Sequence, residues 1–138
     1  MLAAGILLAG MAAGCGNSKN KEDQEAYRQI GINNLEQGKY DDAVDAFQKA
    51  LDQSLATIGA EELDICYYKA QAQYMAGDTK GALETYTALI DYDKKNADAY
   101  YLRGSLYLLE GEDKKALADY ASAVENDDAN YDLYIQAY

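Results

Sequence analysis

The stretch from Ala97 to Asn130 reads ADAYYLRGSLYLLEGEDKKALADYASAVENDDAN, and its punctuation recurs upstream. Sliding the chain back by 34 residues sets Gly111 on Gly77, Gly104 on Ala70, Ala116 on Ala82 and Tyr120 on Tyr86. A further 39 residues back, the same positions fall on Gly38, Gly31, Ala43 and Phe47. Self-similarity at this spacing marks stacked supersecondary units, and about 34 residues is the length of one helix–turn–helix. Around Gly31, Tyr27, Ile30 and Leu35 share one helical face. Gly38 closes that helix, because glycine takes the left-handed conformation of a helix C′ position without steric cost. A second helix opens near Tyr40, with Asp41 and Asp42 favourably placed against the dipole of its first turn. Ala43, Val44, Phe47, Ala50 and Leu51 are its expected buried stripe.

This pattern resembles the tetratricopeptide repeat (TPR) family, which implies an all-α fold: a TPR-like α-solenoid of antiparallel helix pairs, three repeats plus a C-terminal helix. The repeats are expected over residues 24–57, 63–96 and 97–130, with a connector over 58–62. Leu51, Leu55 and Ile58 continue the apolar spacing, so the extra residues after the first repeat are expected to lengthen its second helix. Asp78 and Asn96 are candidate N-caps. A small residue at Gly31, Ala70 and Gly104 lets the paired helices approach, and Phe47, Tyr86 and Tyr120 fill the space between units. The proline frequent at the end of the family's second helix is missing, with Leu55, Lys94 and Asp128 in its place, so looser inter-repeat turns are expected. Residues 131–138 (YDLYIQAY) continue the period and read as a capping helix or the start of a fourth repeat cut short. Tyr131, Tyr134, Ile135 and Tyr138 there give an apolar stripe, from which self-association through that helix is expected.

Composition narrows the partners. Lys+Arg total 12 against 24 Asp+Glu, a net charge of −12. Such a surface disfavours nucleic acid, whose affinity rests on Lys and Arg contacts to phosphate, and disfavours direct adsorption to anionic lipid. The chain has no His, so the commonest general base and transition-metal ligand is missing. The carboxylate pairs Asp41-Asp42, Glu61-Glu62 and Asp127-Asp128 sit at expected helix starts, where capping explains them. The oxygens of residues 92–98 lack the ordered spacing of a calcium loop, and no phosphate-binding glycine loop is present. No catalytic site, cofactor or metal is expected, and the protein reads as a non-enzyme.

Residues 1–14 (MLAAGILLAGMAAG) are apolar, uncharged and too short for a membrane span, which needs about 20 residues. Their length and small-residue end suit a signal peptide. Ala12-Ala13-Gly14-Cys15 resembles a bacterial lipobox, which implies lipid attached at Cys15 and an envelope location: the outer side of the cytoplasmic membrane, or the outer membrane of a Gram-negative cell. The segment departs from that pattern at Ala12, where Leu is usual, and has no basic residue before the apolar run. The second departure leads us to expect that the native chain starts before Met1. The alternative is a hydrophobic first helix packed on the repeats. Residues 15–23 are polar and read as a flexible tether, reaching at most about 3.5 Å per residue. Cys66 is expected on the buried face of its helix, as a small hydrophobe. A disulfide from Cys66 to Cys15 would require Cys15 to be unlipidated.

The family resemblance also implies a ligand surface on the concave face, at fixed offsets along the first helix of each repeat. Those offsets select Arg28, Ile32 and Leu35, then Tyr67, Gln71 and Tyr74, then Tyr101, Ser105 and Leu108. The alternative is that these are ordinary solvated helix faces. Three Tyr, one Ile and two Leu argue for a binding strip, since contiguous exposed apolar surface marks contact sites. The Lys/Asn set that clamps a peptide's terminal carboxylate in chaperone-binding relatives is not matched: Ile32 and Tyr67 replace polar positions, and Arg28 alone is clamp-like. The expected function is a lipid-anchored scaffold holding a protein or peptide, neutral or basic. A second possibility is an accessory subunit binding a glycan or cell-wall polymer, since Tyr stacks on sugars equally well.

Overall fold

A computed structural model describes residues 5–54 and 58–126, with side chains from Lys19 onward. The described residues form six helices and no strand: α1 (Gly5–Glu36), α2 (Tyr40–Asp52), α3 (Ala60–Met75), α4 (Thr79–Tyr92), α5 (Ala97–Leu109) and α6 (Asp113–Asn126). The chain divides into two compact units, Met1–Tyr68 and Lys69–Tyr138, the division falling inside α3.

One device ends α1, α3 and α5. Gly38, Gly77 and Gly111 have φ of 72°, 87° and 76°. Each donates its N–H to the carbonyl three residues back, and the next residue donates to the carbonyl five residues back: Gly38 to Leu35 and Lys39 to Asn34, Gly77 to Tyr74 and Asp78 to Gln73, Gly111 to Leu108 and Glu112 to Tyr107. These paired bonds satisfy carbonyls that a helix end leaves open, in the Schellman arrangement. The side chain of Asp78 then caps α4 by accepting from Gly81 N–H, and that of Asn96 caps α5 by accepting from Ala99 N–H. Lys39 stands at the corresponding place before α2 with no side-chain cap. The α4–α5 turn, where Lys94 replaces the family's proline, is held by Asp93: its carboxylate accepts from Lys95 N–H and its carbonyl from Asn96 N–H.

In the first unit, α1 packs on α2 across Gly31. Phe47 is fully buried there, and a Cβ on Gly31 would stand 2.5 Å from its ring. The Phe47 ring stacks on Tyr68 of α3, centroids 5.7 Å apart. In the second unit α5 packs on α6 and on α4. Gly104 makes the same close approach less tightly, its hypothetical Cβ lying 3.1 Å from Asp119 and Tyr120. Ala82, Tyr86, Leu89, Ile90, Ala97, Ala99, Leu106, Ala116 and Ala123 fill the remaining core.

Several expectations are corrected. Residues 15–23 are helical, part of one continuous α1. Their Lys19, Lys21, Glu22 and Asp23 propagate a helix already nucleated downstream, so the stretch rises about 1.5 Å per residue instead of extending. The helix before the connector is not longer: α2 stops at Asp52, where Gln53 N–H donates to the Ala50 carbonyl and Ser54 N–H to the Leu51 carbonyl. The Glu62 carboxylate draws the connector back by accepting from Gly59 N–H (2.8 Å) and Ser54 Oγ (3.4 Å), and α3 starts at Ala60, inside the expected connector. Ala46 joins Ala43, Phe47 and Ala50 in the buried stripe of α2, whereas Val44 and Leu51 are only half-buried. Ile30, expected on the packed face of α1, is 47% exposed. Cys66 is half-buried; the fully buried residue beside it is Ile65. The expected C-terminal helix over 131–138, with Tyr131, Tyr134, Ile135 and Tyr138, lies outside the described residues, as do the side chain of Cys15 and residue Leu55. No helix among the described residues is long and apolar enough to cross a membrane.

Candidate functional site

On α1, Arg28, Ile32 and Leu35 follow one another at i, i+4 and i+7, which places them on one face. All three are half-buried, as is Tyr67 on α3. Arg28 is committed within the first unit. Its Nε and Nη2 donate to Asp64 Oδ2 at 3.0 and 2.6 Å, its Nη1 lies 3.5 Å from Glu25, and its guanidinium sits 5.6 Å above the Tyr68 ring. The hydrogen bonds that Arg28 donates to Asp64 raise its pKa, against an opposing effect of burial. Arg28, Tyr68 and Phe47 thus form a column from surface to core. Beside it the buried amide of Gln24 donates to Glu62 at 2.9 Å. That bond, with those from Gly59 and Ser54, holds the Glu62 carboxyl below the usual carboxylate range.

In the second unit the expected offsets fall on Gln71 and Tyr74 of α3 and on Tyr101, Ser105 and Leu108 of α5. Gln71 is exposed and the other four are half-buried. Tyr101 lies 5.6 Å from the buried Tyr120, its ring tilted by 40°. Ser105 Oγ donates to the Tyr101 carbonyl at 3.0 Å and is 3.2 Å from Tyr120 Oη. These two residues therefore also brace the α5–α6 pair, and only part of each is open to a ligand.

Two exposed apolar residues that the sequence reading passed over stand beside these offsets. Met75 ends α3 and Leu109 ends α5; they are 34 residues apart and are 48% and 65% exposed. An apolar side chain repeated at the same offset, immediately after Tyr74 and Leu108, is the signal that could have found them.

Four cations of the second unit, Arg103, Lys80, Lys94 and Lys115, are paired with carboxylates outside these offsets. Arg103 Nε and Nη2 donate to the two oxygens of Asp119, both at 2.7 Å, and Nη1 donates to Thr87 at 3.0 Å. Its guanidinium lies 5.8 Å from the Tyr100 and Tyr107 centroids. The Asp119 hydrogen bond raises the Arg103 pKa, opposed by burial. Lys80, Lys94 and Lys115 pair with Glu84, Asp91 and Glu112. Among the described residues no buried polar side-chain atom lacks a partner, and no cluster of three His, Cys, Asp or Glu could hold a metal.

Comparison with known proteins agrees with this architecture. The tetratricopeptide repeat family model matches residues 28–86 and 67–131. No curated protein matches the sequence. Among solved structures, the crystal structure of MamA is similar at 22% identity and a TM-score of 0.62, over 75% of this chain and 58% of MamA, so this chain spans little more than half of that relative. The first TPR of Spaghetti (RPAP3), bound to the HSP90 peptide SRMEEVD, is similar at 19% identity and a TM-score of 0.67, over 84% of this chain and 88% of that one. PcrH, in complex with the chaperone-binding region of PopB, is similar at 19% identity and a TM-score of 0.63, over 75% and 79%.

Proposed function

The chain belongs to the tetratricopeptide repeat family, and from that premise we propose that it is a non-enzymatic scaffold that holds a peptide or protein segment on the faces of its first-of-pair helices. The observation that carries the reading is the repeated exposure of Met75 and Leu109 beside Tyr74 and Leu108. Exposing apolar side chains to water costs free energy, and two of them at a constant offset suit a partner's contact. Support comes from the peptide complexes of the Spaghetti domain and of PcrH, whose folds this chain shares. Attachment through lipidated Cys15 belongs to the same proposal, resting on Ala12-Ala13-Gly14-Cys15 at the end of an apolar run; it places the scaffold at a bacterial envelope surface.

The test is capture from envelope extract on the full chain and on the Met75→Ser/Leu109→Ser variant, followed by digestion of the captured material. Protease-sensitive capture that the variant loses supports the scaffold reading. Capture that only glycosidase destroys would favour a glycan ligand, and capture unaffected by the variant would move the site. For the anchor, labelled fatty acid should appear on the protein in cells and disappear with Cys15→Ala. A variant that keeps the label would refute attachment there.

A further inference from the structure

The charge arrangement of the second unit specifies what kind of segment its strip accepts. At 3.6 residues per turn, two residues apart is about 200° around a helix. Arg103 is two residues from both Tyr101 and Ser105, and its guanidinium is turned to Thr87 and Asp119. Lys69 precedes Gln71 by the same step, so it too stands on the side of α3 away from the strip. The charged residue in register with Tyr101, Ser105 and Leu108 on α5 is Asp98, exposed at the start of the helix. In the first unit the one cation at a strip offset, Arg28, already has Asp64 on its guanidinium. A terminal carboxylate brought to such a strip would lose its hydration with no cation to receive it, which is costly.

We propose that the strip of Tyr74, Met75, Tyr101, Leu108 and Leu109 takes an internal segment of a partner protein, with aliphatic or aromatic anchors flanked by Lys or Arg, and that a free chain end contributes nothing. This rests on the reading of the strip as the ligand surface and adds its chemistry. Apolar anchors supply the affinity, while the net charge of −12 supplies a faster encounter with cationic segments.

The test uses the full chain and four labelled synthetic peptides, followed by fluorescence anisotropy. The first alternates Leu and Lys and is amidated; the second is identical with a free carboxylate. The third replaces Lys by Glu, and the fourth replaces Leu by Ser. The first two should bind alike, and the third and fourth at least about tenfold more weakly, a difference of one decade in Kd. Met75→Ser/Leu109→Ser should weaken the first about thirtyfold, as expected of anchors near the centre of a contact. Both side chains are exposed, so the fold should hold, which circular dichroism checks. Tighter binding of the Glu peptide or of the free carboxylate, still lost in the variant, would keep the strip and overturn the proposed chemistry. Binding of the first peptide that the variant leaves unchanged would overturn the strip itself, and binding of none of the four would overturn the proposal.

Discussion

Removing the carboxylate of Asp119 tests the energetic account of the second unit. The Arg103–Asp119 pair is bidentate at 2.7 Å for each bond, with side chains only 17% and 8% exposed. Asp119→Ala deletes two charge-assisted hydrogen bonds, each contributing about 1.5–3 kcal/mol, and leaves a largely desolvated guanidinium. The remaining bond to Thr87 and the flanking Tyr100 and Tyr107 rings still solvate Arg103 in part. The lower end of the range therefore applies, and a loss of about 3 kcal/mol is expected, or a Tm lower by roughly 10 °C. Arg103→Met should cost at least as much, because it strands a more deeply buried carboxylate. The double variant Arg103→Met/Asp119→Leu removes both charges and should cost only about 1 kcal/mol, less than either single change, since apolar replacements of a buried pair are close to neutral. Urea unfolding followed by far-ultraviolet circular dichroism measures all three, and the cycle isolates the coupling. Single variants within about 0.5 kcal/mol of the parent, near the ordinary surface range, would refute the reasoning, as would a double variant costing the sum of its parts.

Gly31→Ala should destabilise by about 1–2 kcal/mol, because the Phe47 ring at 2.5 Å has no room to move and outweighs a helix-propensity gain of about 1 kcal/mol; Gly104→Ala, with 3.1 Å contacts, should be close to neutral in the same urea assay. Lys39 has φ −89° and ψ 69°, almost the backbone of the capping residue Asp78 at −88° and 65°, so Lys39→Asn should stabilise by about 1 kcal/mol, while Asn96→Ala should cost a similar amount, both read as urea midpoints. Glu62 is held below its usual range chiefly by the Gln24 hydrogen bond, so its contribution is full above the ordinary Glu value near pH 4.3 and is lost as pH falls through the lowered folded value. Glu62→Gln should therefore separate from the parent at neutral pH and converge with it in acid; a gap that widens on acidification would reverse the sign.

The turns were legible because their chemistry is local. Gly38, Gly77 and Gly111 announce a positive φ, and Asp78 and Asn96 announce a cap three residues before the N–H each accepts. Helix identity followed from the apolar period, and the small residues at Gly31 and Gly104 foretold the close approaches. The connector was misjudged because its conformation is decided by Glu62, whose three partners Gln24, Ser54 and Gly59 lie on separate segments. A spacing rule applied to Leu51, Leu55 and Ile58 has no means of weighing that carboxylate. The continuity of α1 was missed for a related reason: polar composition reports that a stretch has nothing to bury, not that it will leave a helix already begun.

The candidate strip was legible in register but not in availability. A helix offset selects Arg28, Tyr101 and Ser105 on equal terms with Leu108, and says nothing of what each already touches. Asp64 occupies Arg28 from 36 residues away, and Tyr120 engages Ser105 from 15 and Tyr101 from 19. What survives that filter is the apolar end of the strip, where Met75 and Leu109 follow Tyr74 and Leu108 just before the glycines that end α3 and α5. Such a position is exposed by construction. The Schellman turn reverses the chain immediately beyond it, so no following turn of helix shields the last side chain. A hydrophobe kept there twice spends solvation without adding to the core, and a partner's apolar anchors are what would recover it.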